Sequence, residues 1–161
     1  MKFKIRYGTY ETNSSAVHTL QISKEGLAPS ELKIEEDGYI YVPLRYWGKE
    51  RREYTSQIDK LSYICTRAWA ANSSYYNDLD LNEEHDYVIG NIEEAIVDYT
   101  GAVGIKLYIP DDDDDDDYPG FDHQEYPDYS DDMNGFCNVY DESSIQNFVF
   151  NRYISFTTDC D

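Results

Sequence analysis

Between Lys106 and Arg152 this 161-residue sequence has no lysine or arginine, although acidic residues continue through the interval. Phosphate contacts need such cations, so direct nucleic-acid binding by this stretch is not expected. Cysteine is scarce. Cys65, Cys137 and Cys160 are odd in number and lack CxxC spacing, which argues for free thiols in a reducing compartment and against a disulfide framework or zinc site. No apolar run approaches a membrane span, and the opening MKFKIRYGTYETNSS lacks a signal-peptide apolar stretch. A cytoplasmic location, inside a host cell, is the expectation. The P-loop, GxGxxG, HExxH and GxSxG signatures are all missing, so no cofactor is implied and an enzyme reading must rest on scattered residues.

What is present is acid. The formal charge is −20, and it is unevenly placed. Residues 1–70 carry eleven Lys and Arg against nine acids, a net of +2. Residues 71–161 carry twenty-four acids against Lys106 and Arg152, a net of −22. A basic partner is the natural complement of such a half. Tyrosine is abundant at 17 residues and the apolar share is 40%, so the chain has the material for a core.

Alternation of apolar and polar residues predicts strands at Phe3–Tyr7, Val17–Ile22, Gly38–Val42 (limited by Pro43) and Ile105–Ile109 (stopped by Pro110). Strands are also expected at Phe136–Tyr140 and Tyr153–Phe156. Residues 50–71 read as a helix whose apolar face is Tyr54, Ile58, Leu61, Cys65 and Ala68, with Arg51, Arg52, Asp59, Lys60 and Arg67 placed largely off it. A second helix is expected from Glu83 to Tyr99, capped by Asn82 and ended by Gly101, burying Val88, Ile92, Ala95, Ile96 and Tyr99. A short helix over Ser143–Phe150 would be capped by Asp141 or Ser143. The result is a single α+β domain over 1–161: a mixed or mainly antiparallel sheet, two main helices, and an acidic insertion over 110–135.

Twelve acids fall between Asp111 and Asp132. A solvated, self-repelling loop is the plain interpretation of such a block. The sharper one is nucleic-acid mimicry. An extended chain advances about 3.3 Å per residue, so successive Asp residues approach the linear charge density of one DNA strand. The residues that would meet a partner are Asp111, Asp112, Asp113, Asp114, Asp115, Asp116, Asp117, Tyr118, Asp122, Glu125, Tyr126, Asp128, Tyr129, Asp131 and Asp132. Glu83, Glu84, Glu93 and Glu94 extend the negative face over the second helix, with Asp78, Asp80, Asp86 and Asp98. The tyrosines would stack on guanidinium groups where bases otherwise lie. An EF-hand register from Asp115 fails, because Tyr126 stands where a bidentate Glu belongs. No metal site is expected; His18, His85 and His123 have no diagnostic ligand spacing.

The polar cluster Glu11, Asn13, Ser14, Ser15 and His18 holds the residue types for nucleophilic or general-base chemistry. A hydrogen-bonded turn between two strands accounts for it more simply, since Thr, Asn and Ser bond their own backbone readily. Enzymatic activity is therefore the lesser expectation.

The run Arg6-Tyr7-Gly8-Thr9-Tyr10-Glu11-Thr12-Asn13-Ser14-Ser15-Ala16-Val17-His18 resembles the R-x-G-x-F/Y-E-T-N-S-S-S-x-H motif of a family of uncharacterised phage and prophage proteins. Asp122-His123-Gln124 and Phe148-Val149-Phe150-Asn151 are similar to that group as well, whereas Ala16 replaces its third serine. The resemblance implies a viral or mobile-element origin and no particular reaction. With the charge, it leads to the expectation of a non-enzymatic inhibitor of a basic, nucleic-acid-processing host defence protein, of anti-CRISPR or anti-restriction type. A small enzyme built on the Glu11–His18 cluster, or a phage structural or assembly protein, are the alternatives.

Overall fold

The computed structural model describes residues 3–4, 16–22, 26, 31–48, 52–72, 87–111, 119–121 and 137–160. It bears out the α+β class. In chain order the elements are β1 (Phe3–Lys4), β2 (Ala16–Ile22), β3 (Tyr39–Pro43), β4 (Tyr46–Trp47), β5 (Arg52–Tyr54), α1 (Gln57–Asn72), α2 (Tyr87–Thr100), β6 (Gly104–Tyr108), β7 (Gly120–Phe121), α3 (Glu142–Phe150) and β8 (Ile154–Cys160).

The strands form three groups among the described residues. An antiparallel sheet runs β1-β2-β8-β5, while β3 pairs with β6 and β4 with β7, both in parallel. The seven-residue register of β2 against β8 places Leu20 opposite Phe156, and β5 brings Tyr54 to the other side of Phe156. Those three side chains share one face, which is what period-two alternation requires. In the parallel pair, Ile40, Val42 and Ile105 turn inward, whereas Tyr41 and Lys106, directly opposite each other, turn outward.

Helix α1 begins at Gln57, not at residue 50, because Ser56 caps it. The Ser56 hydroxyl accepts from the Asp59 amide at 3.0 Å and donates to the Asp59 carboxylate at 2.6 Å. The first bond is that of an N-cap serine, and the second ties the Asp59 carboxylate to the same hydroxyl. Upstream, Arg52–Tyr54 are taken by the sheet. Every residue from Lys60 to Trp69 is buried, so Lys60 and Arg67 do not lie on a solvated face as their polarity suggested. The cause is tertiary: α1 touches α2, α3, β3 and β7, which covers more than one side of it.

Val88, Ile89, Ile92, Ala95 and Ile96 are the buried residues of α2. Gly101, at φ 76°, ends the helix, its N–H bonded to the Val97 carbonyl at 2.8 Å. The expected Asn82 cap and residues 83–86 lie outside the described residues. Asp141, not Ser143, caps α3, accepting from the Ser143 amide at 3.2 Å. Residues 137–140 form a turn, not a strand. The core joins these layers through an aromatic cluster: Phe156 lies 4.4 Å from Tyr63, 4.9 Å from Tyr54 and 5.6 Å from Trp47, centroid to centroid. No helix among the described residues is long and apolar enough to cross a membrane.

Candidate functional site: an acidic and aromatic face on two parallel helices

The start of α2 meets the turn just before α3, and the end of α2 meets the end of α3. The Tyr87 ring stacks with Tyr140 at 6.2 Å, and the Asn91 amide donates to the Val139 carbonyl at 3.4 Å. Further on, the Gln146 amide donates to the Ala95 carbonyl at 3.0 Å, and Tyr99 lies flat on Phe150 at 3.8 Å and 9°. Early residues of α2 meeting the entry to α3, and late residues meeting late ones, mean the helices run in the same direction, side by side. Tyr99, expected in the core, is 58% exposed, because Phe150 covers one face of its ring and solvent reaches the rest.

The outer surface of this pair is acidic and aromatic. Tyr87, Tyr99 and Tyr140 are exposed large side chains, and Glu94, Asp98, Asp141 and Glu142 are exposed acids. On α2, Tyr87, Glu94 and Asp98 are separated by seven and four residues, which places them on one stripe of the helix. Neither helix carries a Lys or Arg, and none of the four acids has a cationic partner among the described residues.

Lys106, the lone basic residue between Arg67 and Arg152, is committed elsewhere. Its ammonium donates to Asp37 Oδ2 at 2.8 Å and to the Tyr41 hydroxyl at 3.2 Å, and it sits 4.0 Å over the Tyr39 ring. The Lys106 ammonium, with the Tyr39 amide and the Tyr41 hydroxyl, holds the Asp37 carboxyl down at about 2. The same contacts raise the Lys106 ammonium above its ordinary range. Lys106 thus neutralises Asp37 and leaves the helix acids uncompensated.

The residues expected to meet a partner divide as follows. Glu94 and Asp111 are exposed. Glu93 is half-buried: its Oε2 is sealed without a hydrogen bond, and the side chain lies against Gly104, whose missing Cβ leaves it room. It belongs to the interior more than to the outer face. Asp112–Asp117, Tyr118, Asp122, Glu125, Tyr126, Asp128, Tyr129, Asp131, Asp132, Glu83 and Glu84 lie outside the described residues. Between them, Pro119 is buried, and Gly120 and Phe121 pair in parallel with Tyr46 and Trp47. The acidic stretch is therefore not one continuous insertion; it is fastened to the core part-way along. Sequence reading missed this, since a two-residue strand has no period to detect.

Of the alternative catalytic cluster, Glu11, Asn13 and Ser14 lie outside the described residues, and His18 is placed only by its backbone, opposite Thr158. The described thiols are poor nucleophiles. Burial pushes the Cys65 thiol far up and Cys137 up to about 12, so both stay protonated. Among the described residues no three His, Cys, Asp or Glu side chains group as metal ligands. Three comparisons with known proteins, by family model, curated sequence and solved structure, find no match for this chain.

Proposed function

We propose that this protein is an acidic inhibitor, of phage type, that occupies the cationic groove of a nucleic-acid-processing host defence protein in place of DNA or RNA. The observation that carries the reading is the parallel α2–α3 face: Glu94, Asp98, Asp141 and Glu142 with Tyr87, Tyr99 and Tyr140, and no cation on either helix. Exposed acids keep a protein soluble wherever they are scattered. Here exposed acids and exposed aromatic rings occur together on two packed helices, the two chemistries by which a nucleic acid engages Arg-rich grooves. The seven consecutive acids Asp111–Asp117 add sequence charge next to β6. A partner steered by such a field associates fast at low salt and more slowly as salt rises.

The test is displacement. A labelled DNA duplex is bound to a purified basic DNA-binding protein of a host defence system, and this chain is titrated in at low and at high salt. Release at low salt, weakened by salt and by joint Glu94→Gln and Asp98→Asn substitution, is the expected result. A second variant with Asp111–Asp117 changed to Asn separates the contribution of the run. No release from any nuclease or restriction protein tried, or release that neither variant changes, would overturn the reading.

A further inference from the structure

Tyr87, Asn91, Ala95 and Tyr99 recur every four residues on α2 and form the row that meets the α3 side. An aromatic pair stands at each end of this seam. Tyr87 stacks with Tyr140 at 6.2 Å and 29°, and Tyr99 with Phe150 at 3.8 Å and 9°. The twelve-residue step from Tyr87 to Tyr99 sets the two pairs about 18 Å apart along the helix. That span equals about five steps of a stacked nucleic-acid strand. Acids run beside it. Glu94 and Asp98, each one position before a member of the row, are exposed, and Glu142 accepts from the Gln146 amide at 2.8 Å.

The tyrosines of these pairs are not core. Tyr87 is 72%, Tyr99 58% and Tyr140 54% exposed. Open aromatic faces discriminate between two kinds of nucleic acid. In a duplex the base faces are stacked on one another, and a protein meets phosphates, sugars and base edges. A mimic of duplex needs carboxylates where phosphates lie, and open rings add nothing to its fit. In a single strand the bases splay out, and proteins stack aromatic or guanidinium planes on them. A mimic of single strand needs both acids and rings. Tyr99 already lies flat on Phe150, so little further order is lost when a partner's plane covers its open face.

We propose that the groove this face fits is one that carries single-stranded DNA or RNA, with the two aromatic pairs standing in for splayed bases and Glu94, Asp98 and Glu142 for phosphates. This rests on the inhibitor reading above and narrows the partner to a protein that acts on single strands.

The experiment uses purified nucleases and restriction proteins of host defence systems, some that act on single strands and some on duplex. Each is loaded with labelled oligothymidylate, oligouridylate or a DNA duplex about ten steps long, twice the span of the seam. The intact chain is titrated in at low, matched salt, and its concentration is scaled to each protein's affinity for its own nucleic acid. Expected is release of a single strand at about one-tenth of the scaled concentration that releases duplex. Tyr87→Leu and Tyr99→Leu, read separately, should each weaken single-strand release about tenfold and leave duplex release unchanged. Tyr99→Phe, which keeps the ring, should behave as wild type. The wild-type preference decides without any variant, so a Leu variant that fails to fold does not block the test. The thymidylate and uridylate arms tell a DNA-handling partner from an RNA-handling one. Duplex released as readily as single strand, or folded Leu variants that act as wild type, overturns this inference and leaves the inhibitor reading standing. Release of neither overturns both.

Discussion

The Nζ of Lys60 lies 2.9 Å from the carbonyl oxygen of Asn151, so a buried ammonium on α1 closes the C-terminal end of α3. A cation there complements the negative end of the helix dipole and satisfies a carbonyl that the helix leaves without a partner. Desolvation works against it, drawing the Lys60 pKa down from 10.5 to about 8.

That shift fixes the sign of a pH dependence. Between the two values the unfolded chain binds the proton more readily than the folded one, so stability rises with pH across the window and the cost is fully present below about pH 8. In Lys60→Met the titrating group is gone. The stability of the wild type relative to the variant should therefore grow by about 2–3 kcal/mol between roughly pH 7.5 and 10.5. Urea unfolding of both proteins at the two pH values measures it, and an unchanged difference would mean that the ammonium is not desolvated.

Gly38 and Gly101 both adopt positive φ, at 84° and 76°, yet they should respond differently to alanine. A Cβ on Gly38 would meet Val103 Cγ2 at 2.7 Å, while one on Gly101 would meet nothing within 4 Å. Gly101→Ala should cost about 1 kcal/mol, the left-handed backbone penalty alone. Gly38→Ala should cost more, about 2–3 kcal/mol, and adding Val103→Ala should recover only the part due to the clash. Denaturant melts of these three variants, with Val103→Ala alone as the reference, separate the two terms.

Phe156 is fully buried where β8 meets Trp47, Tyr54 and Tyr63. Phe156→Ala should destabilise the fold by about 3–5 kcal/mol through lost transfer energy and the cavity left behind. Because Trp47 is one of the rings in contact, near-UV circular dichroism and tryptophan emission should change even in a milder Phe156→Leu variant. A Phe156→Leu spectrum identical to wild type would contradict the packing described.

Asp37 and Lys106 join the start of β3 to β6 at the surface. The depressed carboxyl of Asp37 contributes stability above its unfolded value of about 3.9, and this is lost as pH falls through about 2. Both groups are exposed, so the contribution to stability should be small and salt-sensitive. Carboxyl NMR titration of Asp37 should show a depressed midpoint in wild type and a return toward the ordinary range in Lys106→Met.

Much of the scaffold was legible where a single period governs burial. The strands around Val17–Ile22, Gly38–Val42 and Ile105–Ile109 alternate cleanly, and the Gly101 stop behaves as its sequence position implies. The start of α1 was not, because Tyr54 continues the apolar spacing of the helix although the sheet claims it; the Ser56–Asp59 pair was the deciding signal. Lys60 and Arg67 were placed on a solvated face by their polarity, and only the packing of other elements around α1 buries them. The acids of the candidate face were plain from composition. Their alignment was not, since it depends on pairs such as Tyr99 with Phe150 that are distant in sequence.

The pairing of Gly120 and Phe121 with Tyr46 and Trp47 also bears on how this chain can vary in length. The anchor divides the sequence from Asp111 to Cys137 into two stretches, 112–118 and 122–136. Loop-closure entropy grows only with the logarithm of length, about 0.6 kcal/mol for each doubling. A change in the length of either stretch therefore costs the described fold little. The charge of the protein can be tuned in two separate places while β6, α3 and the core between them stay as they are.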